Sequence, residues 1–344
     1  MKSFKLLLLI LFASSISGHA QPERDEQCKA ASSVPLPAEA VSVRPTEFPA
    51  CEAYKSYAGI GRRVNYAAAR SCAWKERAAQ QAHLPQNSKV GTSWVIGGDL
   101  ILVNLYANGL GVSRNLPLAL HLACEENAGI AADAIGDLSK LAAATAPSAK
   151  RFDVCDSAST TFSMNFCGSY RSEITEERRK GAIRVLAARW TPEQRSAFAN
   201  VETAEQRYVT THNKELDQSG TIHTLKDLGS SEIMHNNFLL DLRRFERGDF
   251  PKNVEAAASE ERMRRQFEAN LTATRQPTTA ADSGTAVTED GITEAQAAWE
   301  QYRNAWLAFV AVRYPSVPAA AFRAYFAEER HKLLTAMRGQ IYRG

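Results

Sequence analysis

The chain has 344 residues, with 41 Lys and Arg against 38 Asp and Glu, for a formal charge of +3. A balance this close to zero excludes nucleic acid as an expected partner, because phosphate binding needs concentrated basic charge. Basic clusters occur at Arg178-Arg179-Lys180 and from Arg262 to Arg265, each beside Glu on a predicted helix, and read as solvated helix faces.

Residues 1–20 read as a secretory signal. Lys2 and Lys5 form the charged start, Leu6 to Phe12 the apolar centre, and Gly18-His19-Ala20 a small-residue cleavage site before Gln21. The apolar run is too short to span a bilayer and no other stretch is long enough, so no stable membrane anchor is expected. Loss of Lys2 and Lys5 takes the charge from +3 to +1. The mature chain is expected to be periplasmic or secreted, where its six cysteines can pair.

Residues 21–49, rich in Pro, Ala, Ser and Glu, read as an extended arm. Residues 50–150 carry two similar segments. Gly59 aligns with Gly109, Gly61 with Gly111, Asn65 with Asn115 and Ala69 with Ala119. Glycines take a tight turn where positive φ is cheap, Asn caps the next helix, and Ala lets the helices approach. The pattern Leu105-Tyr106-Ala107-Asn108-Gly109-Leu110-Gly111-Val112 resembles the Sel-one-like repeats, relatives of the tetratricopeptide repeats. The copies are 50 residues apart, longer than that family's usual period, and a polar insertion around His83 to Lys89 accounts for the excess. A further helix spans Ala128 to Ala142, completing a short stack.

Ala146-Pro147-Ser148 marks a boundary, and residues 151–340 read as a second domain. Thr160 or Thr161 caps a helix through Ile174, Ile183, Leu186 and Trp190. Thr191-Pro192-Glu193-Gln194 fits a capping box with Pro at the first helical position, opening a helix through Phe198, Ala204 and Tyr208. A third helix carries Leu225, Ile233, Phe238, Leu242 and Phe245, and a fourth starts after Asn253. Residues 273–291 read as a flexible loop. A helix from about Thr293 to Pro315 carries Gln296, Trp299, Arg303, Trp306 and Val310 at steps of three and four, hence on one stripe. The last helix starts at Val317-Pro318. The indoles are expected in a core near Phe322 and Phe326, with Arg303 meeting a carboxylate at its rim. No strand is predicted, so the fold class is all-α: a short helix-turn-helix repeat stack followed by a helical-hairpin or bundle domain.

The segment from Cys155 onward resembles the LprI-type lysozyme-inhibitor family of small exported bacterial helical domains. One anchor is Cys155 and Cys167, with Ala158-Ser159-Thr160-Thr161 between and Met164-Asn165 before the second cysteine. The other is Gln296, Trp299, Tyr302 and Arg303, followed by Trp306 and by Glu329-Arg330. The chain departs from the family at Asn304, where Asp often follows Tyr-Arg, and in a long helical insertion from about Pro192 to Gly248. The resemblance implies a Cys155–Cys167 bond and a protein partner, lysozyme or another cell-wall hydrolase. A Cys155–Cys167 bond requires the helix to begin after Cys155, since twelve residues of helix span about 18 Å. Cys51 and Cys72 flank the Gly59–Gly61 turn and can meet across antiparallel helices, which leaves Cys28 with Cys124.

Catalytic motifs are absent from the sequence: no H-E-x-x-H, no G-x-S-x-G, no phosphate loop, and no G-x-G-x-x-G after a strand. His212 and His235 read as surface histidines. No cofactor or metal is expected. The favoured function is non-catalytic protein binding. The alternative is a periplasmic enzyme acting on peptidoglycan with dispersed catalytic acids.

Overall fold

The computed structural model describes residues 20–83, 97–125, 129–144, 150–218, 220–275 and 287–341. The signal reading and most of the polar insertion and the 273–291 loop lie outside them. Among the described residues the fold is all-α, with thirteen α-helices and no strand. It divides into two compact units, Met1–Ser163 and Met164–Gly344.

The first unit contains α1 (Ala20–Ala31), α2 (Ala38–Val41), α3 (Ala53–Ala58), α4 (Tyr66–Gln81), α5 (Gly98–Asn108), α6 (Leu116–Glu125) and α7 (Gly129–Ala143). The two glycine turns are built alike, fifty residues apart. At the first, the N–H groups of Gly59 and Ile60 both donate to Lys55 O, and Asn65 N donates to Ser56 O. At the second, Gly109 and Leu110 donate to Leu105 O, and Asn115 N to Tyr106 O. Gly59 and Gly109 sit at φ 75° and 68°, where a side chain would strain the backbone. Asn65 Oδ1 accepts from Ala68 N and Asn115 Oδ1 from Leu118 N, each at 3.0 Å, capping the helix that follows. By this register Tyr106 corresponds to Ser56. Helices α4 and α5 cross at Gly98, where a Cβ would lie 2.0 Å from Ala73 O.

Residues 21–49 are not the extended arm expected from their composition. Most of α1 is drawn from them, and it packs on α6 beside the Cys28–Cys124 disulfide. The short α2 brings Glu39 against the repeat helices. Glu39 Oε1 accepts from Trp74 Nε1 at 3.2 Å and Tyr106 OH at 3.0 Å, and pairs with Arg70 Nε at 3.1 Å. The covalent bond and these anchors outweigh the low hydrophobicity that suggested an unstructured arm. Cys51 and Cys72 are bonded across the first turn. Cys155 and Cys167 are also disulfide-bonded, and no described cysteine is free.

Residues 151–163, read from sequence as part of the second domain, belong to the first unit. Asn108 Oδ1 accepts from Phe152 N, Asn104 Oδ1 accepts from Val154 N, and Asp133 accepts from the hydroxyls of Ser159 and Ser163. A 3₁₀ turn at Val154–Ser157 precedes α8 (Thr161–Ala187), whose cap is Thr160: its Oγ1 accepts from Ser163 N at 3.1 Å. The helix thus begins after Cys155.

The second unit takes most of α8, then α9 (Pro192–His212), a 3₁₀ turn (Asn213–Glu215), α10 (His223–Glu246), α11 (Ala256–Thr274), α12 (Glu289–Arg313) and α13 (Ala319–Ile341). Thr191 and Gln194 make the reciprocal capping box at the start of α9. Contacts of Tyr208 with Tyr302 and of Phe198 with Phe309 run in opposite senses, so α9 and α12 are antiparallel. Glu260–Arg323 and Asn270–Leu334 contacts run in the same sense, so α11 and α13 are parallel. Trp306 sits fully buried at the centre, with Phe198, Phe238, Phe245, Phe309 and Phe326 at ring distances of 5.6 to 6.4 Å. Most of these approach edge-to-face, the favoured geometry of aromatic pairs. The principal partner of α12 is α9, with α13 secondary. Helix α12 starts earlier than the sequence suggested, capped by Thr288, and Arg275 pairs with Glu289 across the ends of the expected loop.

Candidate functional site

Helices α9, α10, α12 and α13 enclose a groove of about 580 Å³ in the second unit. Its floor is aromatic, from Tyr208, Phe238, Trp299, Tyr302 and Phe326. Its rim carries two exposed apolar side chains: Ile233 and Leu240, seven residues apart on one face of α10, are 62% and 58% exposed.

Beneath the groove lies a buried ion pair. Arg330, with no exposed side-chain surface, donates to both oxygens of Glu215 at 2.6 and 2.8 Å. Its Nη1 also donates to Tyr208 OH at 3.2 Å and its Nε to Gln296 Oε1 at 3.1 Å. His212 Nδ1 completes the set, 2.6 Å from Glu215 Oε2. One guanidinium therefore joins α13 to α9, the 3₁₀ turn and α12, using the planar donor fork that lysine lacks. Burial alone would raise the Glu215 carboxyl, yet the Arg330 charge and hydrogen bonds hold it below its usual range. Burial pushes the Tyr208 hydroxyl up to about 12, so it stays protonated.

Three more carboxylates line the groove. Glu205, buried, lies 2.6 Å from His235 Nδ1 and 3.9 Å from Arg179 Nη1. Asp241 accepts from Tyr325 OH. Burial pushes the Asp241 carboxyl up to about 6, and the nearby Glu329 charge pushes the same way. Glu329 itself pairs with Lys332 at 2.6 Å.

The structure brings Gln296 and Arg330 into direct contact and buries Trp299, Tyr302 and Trp306 beside them. Arg303 stays at the surface, stacked 5.0 Å over the Trp299 ring. It donates to Asn304 Oδ1 at 3.3 and 3.1 Å, and its carboxylate is Glu260 of α11, 3.9 Å away. The cysteines of the Cys28–Cys124 and Cys51–Cys72 disulfides and the four turn glycines belong to the first unit, whereas the groove belongs to the second. His212 and His235 are not the surface histidines expected, because each is held by a buried glutamate. Arg179 is likewise buried, bonded to Glu176, rather than part of a solvated face. Glu215, Glu205 and Asp241 escaped the sequence reading: acidic residues on polar helices carry no local sign of their tertiary partners.

Among the described residues no helix is long and apolar enough to cross a membrane, and no group of three or more His, Cys, Asp or Glu is placed to hold a metal. No protein-family model, curated protein or solved structure matches this chain.

Proposed function

We propose that this chain is an exported, non-catalytic protein-binding protein. Its second unit seats an apolar segment of a partner in the groove bounded by α10 and α13. The carrying observation is the pair Ile233 and Leu240, exposed in register above an aromatic floor. Large apolar side chains left exposed in a line mark contact surfaces. The charges beneath are already partnered, so they hold the groove in shape and lower the ordering cost of binding. The resemblance to the LprI-type inhibitors supports a cell-wall hydrolase such as lysozyme as the partner. The disulfide chemistry supports the periplasm or the exterior as its compartment.

A second reading, an enzyme acting on peptidoglycan, draws support from Asp241, whose raised carboxyl in a cleft has the character of a general acid. A turbidity assay on cell walls separates the two. Binding predicts no clearing by this protein alone, and slower clearing by added lysozyme that Ile233→Glu or Leu240→Glu relieves. Clearing by this protein alone, abolished by Asp241→Asn, supports the enzyme. Undiminished lysis with no complex in a titration removes the inhibitor reading.

A further inference from the structure

The first unit holds a buried acid that the binding reading does not use. Cys72 and Glu76 are four residues apart on α4, hence on one face of the helix. Glu76 Oε1 lies 3.7 Å from Cys72 Sγ and accepts from Ala53 N at 2.9 Å. Glu76 Oε2 has no hydrogen-bond partner among the described residues. Both Cys72 and Glu76 are buried, whereas Cys51 is half-buried. As part of a disulfide Cys72 has no proton to donate, so the oxygen–sulfur approach is a contact. It becomes an S–H···O bond only once Cys72 is a thiol.

We propose that Cys51–Cys72 is a thiol-exchangeable disulfide, attacked at Cys51 Sγ, with Glu76 as the acid that protonates the departing Cys72 sulfur. An external dithiol is the co-reactant. Its thiolate attacks Cys51 Sγ, the protein S–S bond breaks, and the electron pair goes to Cys72 Sγ, which takes the Glu76 proton. The second thiolate of the reductant then attacks its own bound sulfur and releases Cys51, which is protonated by water. The protein disulfide is reduced by two electrons and the dithiol is oxidised to a disulfide. Glu76 regains its proton from solvent.

The need for an acid follows from burial. A thiolate abandoned at Cys72 would be an unpaired charge out of water, so the bond would resist attack at Cys51 unless a proton arrived with the electrons. Burial pushes the Glu76 carboxyl up to about 8, the Ala53 N–H opposes this, and the Glu52 charge adds to it. Lys55 is occupied by Glu52, Arg70 by Glu39, and Arg77 by Asp99 and Glu125, so these cations are already paired. Glu76 thus carries its proton at neutral pH.

The test is reduction of the full chain by dithiothreitol, quenched by alkylation, with each disulfide followed by peptide mass. Rates are divided by the thiolate concentration of the reductant. The Cys51–Cys72 rate should be level at low pH and fall as pH rises through about 8. Glu76→Gln keeps an acceptor for Ala53 N–H but brings no proton. Well below that pH it should slow this bond by on the order of 10²-fold, the low end of a positioned acid's effect. Cys28–Cys124 should react at its usual rate, and the two Cys51–Cys72 curves should converge at high pH. With glutathione, a monothiol, in place of dithiothreitol, the mixed disulfide should be found on Cys51. A level wild-type profile across the whole range, or an adduct on Cys72, overturns the proposal. So does Glu76→Gln reacting as fast as wild type with Cys28–Cys124 unchanged. If Glu76→Gln misfolds, shown by a changed Cys28–Cys124 rate, the wild-type profile decides alone.

Discussion

At single residues the consequences concern buried charge. Arg330 and Glu215 are each about 1% exposed or less, so removing one strands the other. Arg330→Ala is expected to cost about 3–5 kcal/mol, whereas Arg330→Met with Glu215→Leu should cost much less, because no lone charge remains. Urea unfolding of the three proteins checks this, and equal losses would contradict the pairing. Asp241 gives a signed pH dependence. Its carboxyl is raised from 3.8 to about 6, so its stabilising contribution is full below 3.8 and lost as pH rises through about 6. Asp241→Asn keeps an acceptor for Tyr325 and cannot ionise. It should match wild type in acid and exceed it by up to about 3 kcal/mol above pH about 6. A stability difference independent of pH would show that Asp241 is solvated. Gln296 and Arg330 stood out in the sequence as motif residues, but the carboxylate that Arg330 pairs with did not. Glu215 lies 115 residues from Arg330 in the chain, and only folding reveals the pair.

At the level of elements, helix starts were legible where the signal is local. Thr191 and Gln194 are three residues apart and cap each other directly, and the Gly59 and Gly109 turns follow from the φ that glycine permits. Partners of helices were less legible. The stripe of α12 was read as facing the final helix, yet its main contact is α9, because many aromatic side chains can satisfy one apolar stripe equally well. The stripe also shifts. Tyr302 and Phe309 enter the core while Arg303 stays at its rim, since a continuous helix turns away from a strict three-four spacing. Trp299→Ala should cost about 3–5 kcal/mol, the usual range for a buried aromatic. A loss below about 1 kcal/mol in denaturant unfolding would place that face at the surface.

Across the molecule, composition misled most at residues 21–49, where few apolar side chains suggested an unanchored arm. Cys28 and Cys124 are 96 residues apart, a closure that limits the unfolded chain far more than any local contact does. By chain entropy, replacing both with serine should cost about 4–5 kcal/mol, measured as a shift in the urea midpoint. An unchanged midpoint would mean that α1 contributes nothing to the first unit. The Glu39 anchor has a practical side. A fragment begun at Cys51, where the repeat pattern starts, would strip the acceptor from Trp74, Tyr106 and Arg70 together. It would lay bare an indole that the intact chain keeps 2% exposed. Such a fragment should come out of purification sticky and partly aggregated, and one begun at Gln21 should not. The repeat stack thus has its working boundary thirty residues ahead of its first recognisable repeat.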